Sequence, residues 1–180
     1  MQDSALLFAE KAVSPANVDI PANFILATLH RAENTDNPQR LADIVEALNQ
    51  IHHDHAPVVL PLHPRTRKII AQQGLKLDVH VIDPVGYLEM IWLLDHSQMV
   101  LTDSGGVQKE AFFFGKACVT MRDQTEWVEL VDAGVNVLVG ADRVKIVEAA
   151  SRNLGREVQD TEQLYGGGAA SKRIAEILVS

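Results

Sequence analysis

From Phe24 onward, short apolar runs alternate with amphipathic stretches. Phe24-Ile25-Leu26-Ala27-Thr28, Val58-Val59-Leu60, Val79-His80-Val81-Ile82, Met99-Val100-Leu101, Ala117 to Met121 and Val135 to Val139 are rich in Val, Ile and Leu and read as buried strands. Between them the apolar positions fall at helical spacing. Pro38 to Ile51 places Leu41, Ile44, Val45 and Leu48 on one face, and shorter helices are predicted over Thr66 to Gln73, Tyr87 to Leu94, Val107 to Phe114, Glu126 to Asp132 and Arg143 to Leu154. Ser4 to Ala12 reads as a helix ahead of the first strand, with Pro15 and Pro21 marking a linker. Gly155 to Gly168 reads as a polar loop before a last helix, Ala169 to Leu178.

Apolar strands each separated by a helix imply a parallel sheet covered on both faces. The expected fold is α/β, a doubly wound parallel sheet of Rossmann-like type. The expected division is a helix and linker over 1–22, a core over 23–155, and a loop with a C-terminal helix over 156–180. An α/β domain that opens on a helix also suggests that something upstream is missing.

Composition narrows the partners. A formal net charge of −8 over 180 residues argues against a nucleic-acid surface, so an anionic ligand would need a local site. The single cysteine, Cys118, lies in an apolar run, which rules out a disulfide scaffold or thiolate metal cluster and points to a reducing compartment. No run approaches the ~20 apolar residues of a membrane span, and Met1-Gln2-Asp3-Ser4 carries no basic signal region. A cytoplasmic protein without membrane attachment is expected.

Ligands of such sheets bind beyond the carboxyl ends of the strands. The residues that follow the strands are Leu29-His30-Arg31-Ala32-Glu33-Asn34, Pro61-Leu62-His63-Pro64-Arg65, Asp83-Pro84-Val85-Gly86-Tyr87, Asp103-Ser104-Gly105-Gly106 and Arg122-Asp123-Gln124-Thr125-Glu126. Strand, small-residue turn and helix at 99–114 present backbone N–H groups to an anion, and the two glycines let a phosphate approach. Glu110, farther along that helix, has the reach for a ribose hydroxyl. Taken alone, these residues are equally those of an ordinary βα turn with a Ser cap. Arginines and histidines converging on the same edge favour a diphosphate.

Neighbouring features have simpler readings. His52, His53 and His55 fall at a helix end without matched carboxylates and read as solvated rather than metal-binding. His30 or His63 taken alone reads as a hydrogen-bonded structural histidine, Phe112-Phe113-Phe114 as core, and Arg122 with Glu126 could equally be a plain surface pair; only the convergence favours the phosphate reading. Walker A, G-x-G-x-x-G and G-x-S-x-G patterns do not occur, so nucleotide hydrolysis, NAD binding and a serine nucleophile lose their usual warrant.

Thr28-Leu29-His30-Arg31-Ala32-Glu33-Asn34, Asp83-Pro84, Leu101 to Ala111, Gly115-Lys116, Arg122 to Glu126 and Tyr165-Gly166-Gly167-Gly168 occur in register and in order. Together they resemble the non-hydrolysing UDP-N-acetylglucosamine 2-epimerases, which have the two-domain glycosyltransferase-B architecture. The resemblance covers nearly the whole chain but half of the family's length, and identifies the chain with the C-terminal, UDP-binding half. It implies that His30 is the catalytic histidine and faces the diphosphate or sugar. It further implies that Ser104, Gly105 and Gly106 hold the diphosphate, that Glu110 holds the ribose, and that Arg122 supports them. The loop at Asp83 to Tyr87 would lie near the uracil. The implied reaction inverts C2 of the sugar by elimination of UDP to a glycal and re-addition, with the acid and base carboxylates in the N-terminal domain.

One position departs from the pattern. The commonest members carry Thr-Glu-Arg, with the arginine on the diphosphate, where this chain has Thr125-Glu126-Trp127. An unreplaced loss would cost on the order of 1.5–3 kcal/mol. Trp127-Val128-Glu129 resembles a subgroup acting on UDP-2,3-diacetamido glucuronate, so conversion of UDP-N-acetylglucosamine to UDP-N-acetylmannosamine and the uronate reaction both stand open. The resemblance implies a UDP-sugar partner together with the N-terminal domain or a second copy, and neither metal nor cofactor. In the alternative reading the chain is a stand-alone nucleotide-sugar binding module or a truncated product without catalysis.

Overall fold

The computed structural model describes residues 1–160 and 164–179. Its elements are α1 (Gln2–Ala9), β1 (Ile25–Thr28), α2 (Ala32–Thr35), α3 (Pro38–Asp54), β2 (Val58–Pro61), α4 (Pro64–Gln72), β3 (His80–Ile82) and α5 (Tyr87–His96). There follow β4 (Val100–Thr102), α6 (Gly105–Phe113), β5 (Cys118–Thr120), α7 (Val128–Asp132), β6 (Asn136–Leu138), α8 (Arg143–Asn153), a 3-10 turn at Gly166–Gly168, and α9 (Ala170–Val179).

The six strands form one all-parallel sheet in the order β3-β2-β1-β4-β5-β6. This is the doubly wound order, in which chain direction across the sheet reverses between β1 and β4. Ala27 pairs with Leu101 and Thr28 with Thr102 across that junction. Side chains alternate between two apolar layers, as a pleat of period two requires. Ile25 and Ala27 point to one layer, with Leu41, Ile44 and Leu48 of α3 and Ile146 of α8. Leu26, Val59 and Val100 point to the other, with Leu93 and Leu94 of α5 and Ala111 of α6. Both faces are covered, which explains the unbroken apolar runs.

The structure alters three local expectations. Helix α6 begins at Gly105 rather than Val107, so both glycines occupy its first turn. The polar segment after β1 contains the one-turn helix α2. His52 is not simply solvated: its Nδ1 accepts the Val58 N–H at 3.0 Å, and burial holds its pKa below the usual histidine value. His63 caps α4, its Nδ1 accepting the Arg65 N–H at 3.2 Å. Phe112 is buried beside Leu130 and Val158, in line with a core role. Cys118 is buried in β5, which pushes its thiol up to about 12. Residues 161–163 of the expected loop lie outside the described residues.

Helix α1 packs on α5 and α6, with Phe8 edge-on to Tyr87 at 5.9 Å. Its Gln2 and Asp3 side chains accept the N–H groups of Gly168 and Ser171, tying it to the start of α9. Among the described residues no helix is long and apolar enough to cross a membrane.

Candidate functional site

The loops after β1 and β4 meet at the junction where the sheet order reverses, and a single carboxylate joins them. Asp103 is fully buried. Its oxygens accept the His30 N–H at 3.1 Å, the Arg31 N–H at 2.9 Å and the Asn34 side-chain amide at 3.3 Å. The His30 ring Nδ1 lies 3.2 Å from Asp103 Oδ1. Burying a carboxylate is costly unless donors compensate it, and here two main-chain N–H groups and an amide do so. Asn34 extends the network, donating to Met121 O at 2.9 Å and accepting from Arg40 Nε at 3.0 Å, while Arg40 pairs with Asp123 at 2.9 Å. Beneath the clamp, Thr28 and Thr102 share a hydroxyl hydrogen bond of 2.6 Å, and Thr102 Oγ1 accepts the Ser104 N–H at 2.9 Å. The half-exposed His30 ring is therefore fixed beside the first turn of α6.

Ser104 is the N-cap of α6, yet its hydroxyl makes no capping bond. The helix N-terminus is left with its orphan N–H groups and positive dipole end. Neither glycine is required by backbone conformation, since the positive-φ positions are elsewhere. Packing does not require them either. A Cβ on Gly105 would meet Glu126 Oε2, Arg31 Nη2 and Trp127 Nε1 at 3.4, 3.5 and 3.8 Å, and one on Gly106 would meet nothing closer than Met1 Cε at 3.9 Å. What two missing Cβ atoms provide is space above an N–H-rich helix start.

Arg122 is buried, with its guanidinium held between carboxylates. It donates to Glu126 at 2.9 and 3.2 Å and to Glu33 at 3.3 Å. The Glu126 contact is the main cause of the raised Arg122 pKa and of the lowered Glu126 pKa. This is a part-buried brace across loops rather than a surface pair. Trp127 follows it and donates its indole N–H to Gly105 O at 2.7 Å. Lys109 Nζ sits 4.0 Å from the ring centres of both Trp127 and Tyr165, and the Tyr165 hydroxyl donates to Glu129 at 2.5 Å.

Glu110 is half-buried on α6, one helix turn beyond Gly106. Burial raises its pKa, partly offset by a hydrogen bond from the Tyr87 hydroxyl. Beside His30 opens a cleft of about 260 Å³ walled by Leu29, Pro61, Pro84, Val85, Met90 and Val107. The structure thus places His30 on this cleft beside Val107 of α6, with Ser104, Gly105, Gly106 and Glu110 at the cap and along the same helix, and with Arg122 linked to the turn through Glu126. Sequence reasoning does not identify Asp103 as the organiser, nor Asn34 and the Trp127 indole as supports. The Asp103 contacts span 69 to 73 residues of chain and leave no local signature.

Comparison with known proteins places this geometry. The family model for UDP-N-acetylglucosamine 2-epimerase matches residues 1–179. A UDP-2,3-diacetamido-2,3-dideoxy-D-glucuronate 2-epimerase of Pseudomonas aeruginosa is 71% identical over 178 residues, covering 99% of this chain and 50% of the relative. The crystal structure of Methanocaldococcus jannaschii UDP-GlcNAc 2-epimerase in complex with UDP-GlcNAc and UDP superposes with a TM-score of 0.85 at 35% identity, over 99% of this chain and 52% of that one. The Neisseria meningitidis UDP-GlcNAc 2-epimerase bound to UDP-GlcNAc gives 0.79 at 29% identity, over 99% and 53%. The chain spans about half the length of the curated relatives it matches. With the motifs in register along the whole chain and the fold shared, the chain belongs to the UDP-N-acetylglucosamine 2-epimerase family.

Proposed function

We propose that this chain is the UDP-binding, C-terminal half of a nucleotide-sugar 2-epimerase, acting on a UDP-2,3-diacetamido-2,3-dideoxy-glucuronate. The substrate assignment rests on the relative of that name at 71% identity and on Trp127 standing where the commonest members carry arginine. The observation that carries the UDP site is the start of α6: two glycines that neither backbone nor packing demands, at an uncapped helix N-terminus beside His30.

In this reading the Gly105 and Gly106 N–H groups and the Ser104 hydroxyl hold the diphosphate. Glu110 accepts from the ribose, and the apolar cleft beneath Pro84 and Val85 takes the uracil. Inversion at C2 proceeds by loss of the C2 proton as the anomeric C–O bond breaks, so that a C1=C2 double bond forms and the C–O electron pair leaves with UDP; a proton then returns to the other face of C2 as UDP re-adds to C1. Donors fixed in advance at the position of the departing anion lower that barrier, because they need not reorganise as charge develops. His30, with Nδ1 turned to the buried Asp103, presents its other nitrogen to the bond being broken. The groups that remove and return the C2 proton belong, in this proposal, to the N-terminal half of a longer protein.

Calorimetric titration of UDP into the chain and into Gly105→Asp tests the site. The new carboxylate would stand at N1 of α6, where it complements the helix dipole but comes close to Glu126 Oε2, so the melting temperature of the variant is read alongside its affinity. The added charge would repel the diphosphate, so affinity should fall by at least about tenfold, a change of roughly 1.4 kcal/mol. Equal affinity in the two proteins would remove the phosphate assignment.

A further inference from the structure

The arginines at the ligand edge of the sheet differ in one respect. Arg40 is paired with Asp123, Arg65 with Asp36, Arg67 with Asp83, and Arg122 with Glu33 and Glu126. Among the described residues, Arg31 is the arginine at this edge whose guanidinium makes no ion-pair contact and no hydrogen bond. It acts on Glu126 only through space, as a minor contribution to that carboxyl's lowered pKa. Its placement is nevertheless fixed. The Arg31 main-chain N–H is held by Asp103 at 2.9 Å, at the extended residue that begins α2. Its Nη2 hangs 3.5 Å from the point where a Gly105 Cβ would be, over the open face of the turn. A half-buried guanidinium directed at an N–H-rich helix start is a planar fork suited to two oxygens of one phosphate.

From this geometry we infer that Arg31, and not Arg122, supplies the guanidinium that binds the diphosphate. The inference rests on the UDP reading above. It also accounts for Trp127. An arginine at position 127 would come from the same side of the turn as the Trp127 indole, which is fastened to Gly105 O and stacked under Lys109. Here the phosphate charge is met from the opposite loop. Arg122 does its work indirectly, neutralising Glu126, whose Oε2 lies 3.4 Å from the Gly105 Cβ position and would otherwise repel the ligand.

The experiment is a titration of the chain with UDP and with uridine, followed by amide chemical shifts. It is run on the unaltered protein and on Arg31→Ala, Arg31→Lys and Arg65→Ala. Arg31→Ala removes no hydrogen bond within the protein, so its melting temperature should be unchanged. Its UDP affinity should fall by about tenfold or more, the scale of a charge-assisted contact, while uridine binding stays the same. Arg31→Lys should recover part of the loss, because the point charge returns without the fork. Arg65→Ala removes an equal charge from the same edge and should change UDP binding less than about twofold. If the unaltered chain binds UDP and Arg31→Ala binds it equally well, the Arg31 assignment is wrong while the UDP site stands. An equal loss in Arg31→Ala and Arg65→Ala reduces the effect to bulk charge and also overturns it. If the unaltered chain fails to bind UDP, both readings fall together.

Discussion

The substitution Asp103→Asn tests whether one carboxylate holds the site together. It preserves shape and volume, so any effect is electrostatic. Asp103 presents acceptors on both oxygens: Oδ2 to the Arg31 N–H and the Asn34 amide, and both oxygens, each at 3.1 Å, to the His30 N–H, with the His30 ring 3.2 Å from Oδ1. The substituted side chain could keep its one oxygen towards Arg31, Asn34 and one arm of the shared His30 N–H, but its amide nitrogen would then stand where the other arm was accepted, donor against donor. The variant loses about one charge-assisted bond and gains a buried donor opposite a donor. Hydrogen bonds to charged groups contribute about 1.5–3 kcal/mol each and an unsatisfied buried donor costs about 1–3 kcal/mol. Allowing for relaxation of the loop, the net loss should be roughly 2–4 kcal/mol. Against a total stability on the order of 5–15 kcal/mol this is large. With a urea dependence of about 2–3 kcal/mol/M, the unfolding midpoint should fall by roughly 1 M at unchanged slope. UDP affinity should fall as well, because His30 and Arg31 are positioned by the same carboxylate. A midpoint shift below about 0.2 M with unaltered UDP binding would refute the claim that Asp103 organises the loops.

Two further substitutions separate stability from binding. Burial raises the pKa of Glu110, so the unfolded chain loses that proton first as pH rises, and the charged form costs the folded state stability above the ordinary carboxylate range. Glu110→Gln should therefore raise the thermal midpoint at pH 7 and weaken UDP binding, with 2′-deoxy-UDP less affected; a lowered midpoint together with full UDP affinity would contradict both roles. Tyr165→Phe removes the 2.5 Å bond to Glu129, the largest cause of that carboxyl's lowered pKa. A lowered folded-state pKa gives stability above the unfolded value and loses it as pH falls through the folded one. The destabilisation by Tyr165→Phe should be greatest at neutral pH and shrink below about pH 4.5, and a pH-independent difference in urea midpoints would count against this ion-assisted bond.

What can be read in the sequence follows from how local each cause is. Each of the six strands is an apolar run bounded by turn residues, and a doubly wound parallel sheet follows from their alternation with helices. The Ser104-Gly105-Gly106 turn is legible for the same reason: small residues between a strand and a helix are a local signal. The start of α6 falls two residues ahead of its expected place because glycine is a poor helix former in general, although the first turn of a helix tolerates it. In the sequence Asp103 is one polar member of a turn. Its function depends on donors some 70 residues away that are brought close only by the β1–β4 pairing. Trp127 stands out as a departure from a pattern, but only the structure shows its indole on the Gly105 carbonyl. His52 reads as solvent-facing from its helix-end position, and the fold turns it towards the Val58 N–H instead.

The Asp103 clamp has a consequence for the thermodynamics of recognition. Loops that become ordered only when a ligand arrives give up conformational entropy at that moment, and affinity falls accordingly. Here the residues bearing His30, Arg31 and the α6 start are already tied together by main-chain N–H groups donating to the Asp103 carboxylate and the Thr102 hydroxyl, and by the paired threonines beneath. The ordering cost was met when the sheet formed. Ligand contact with this half should consequently proceed with little loss of backbone freedom, and enclosure by a second half would add contacts to a surface that is already rigid.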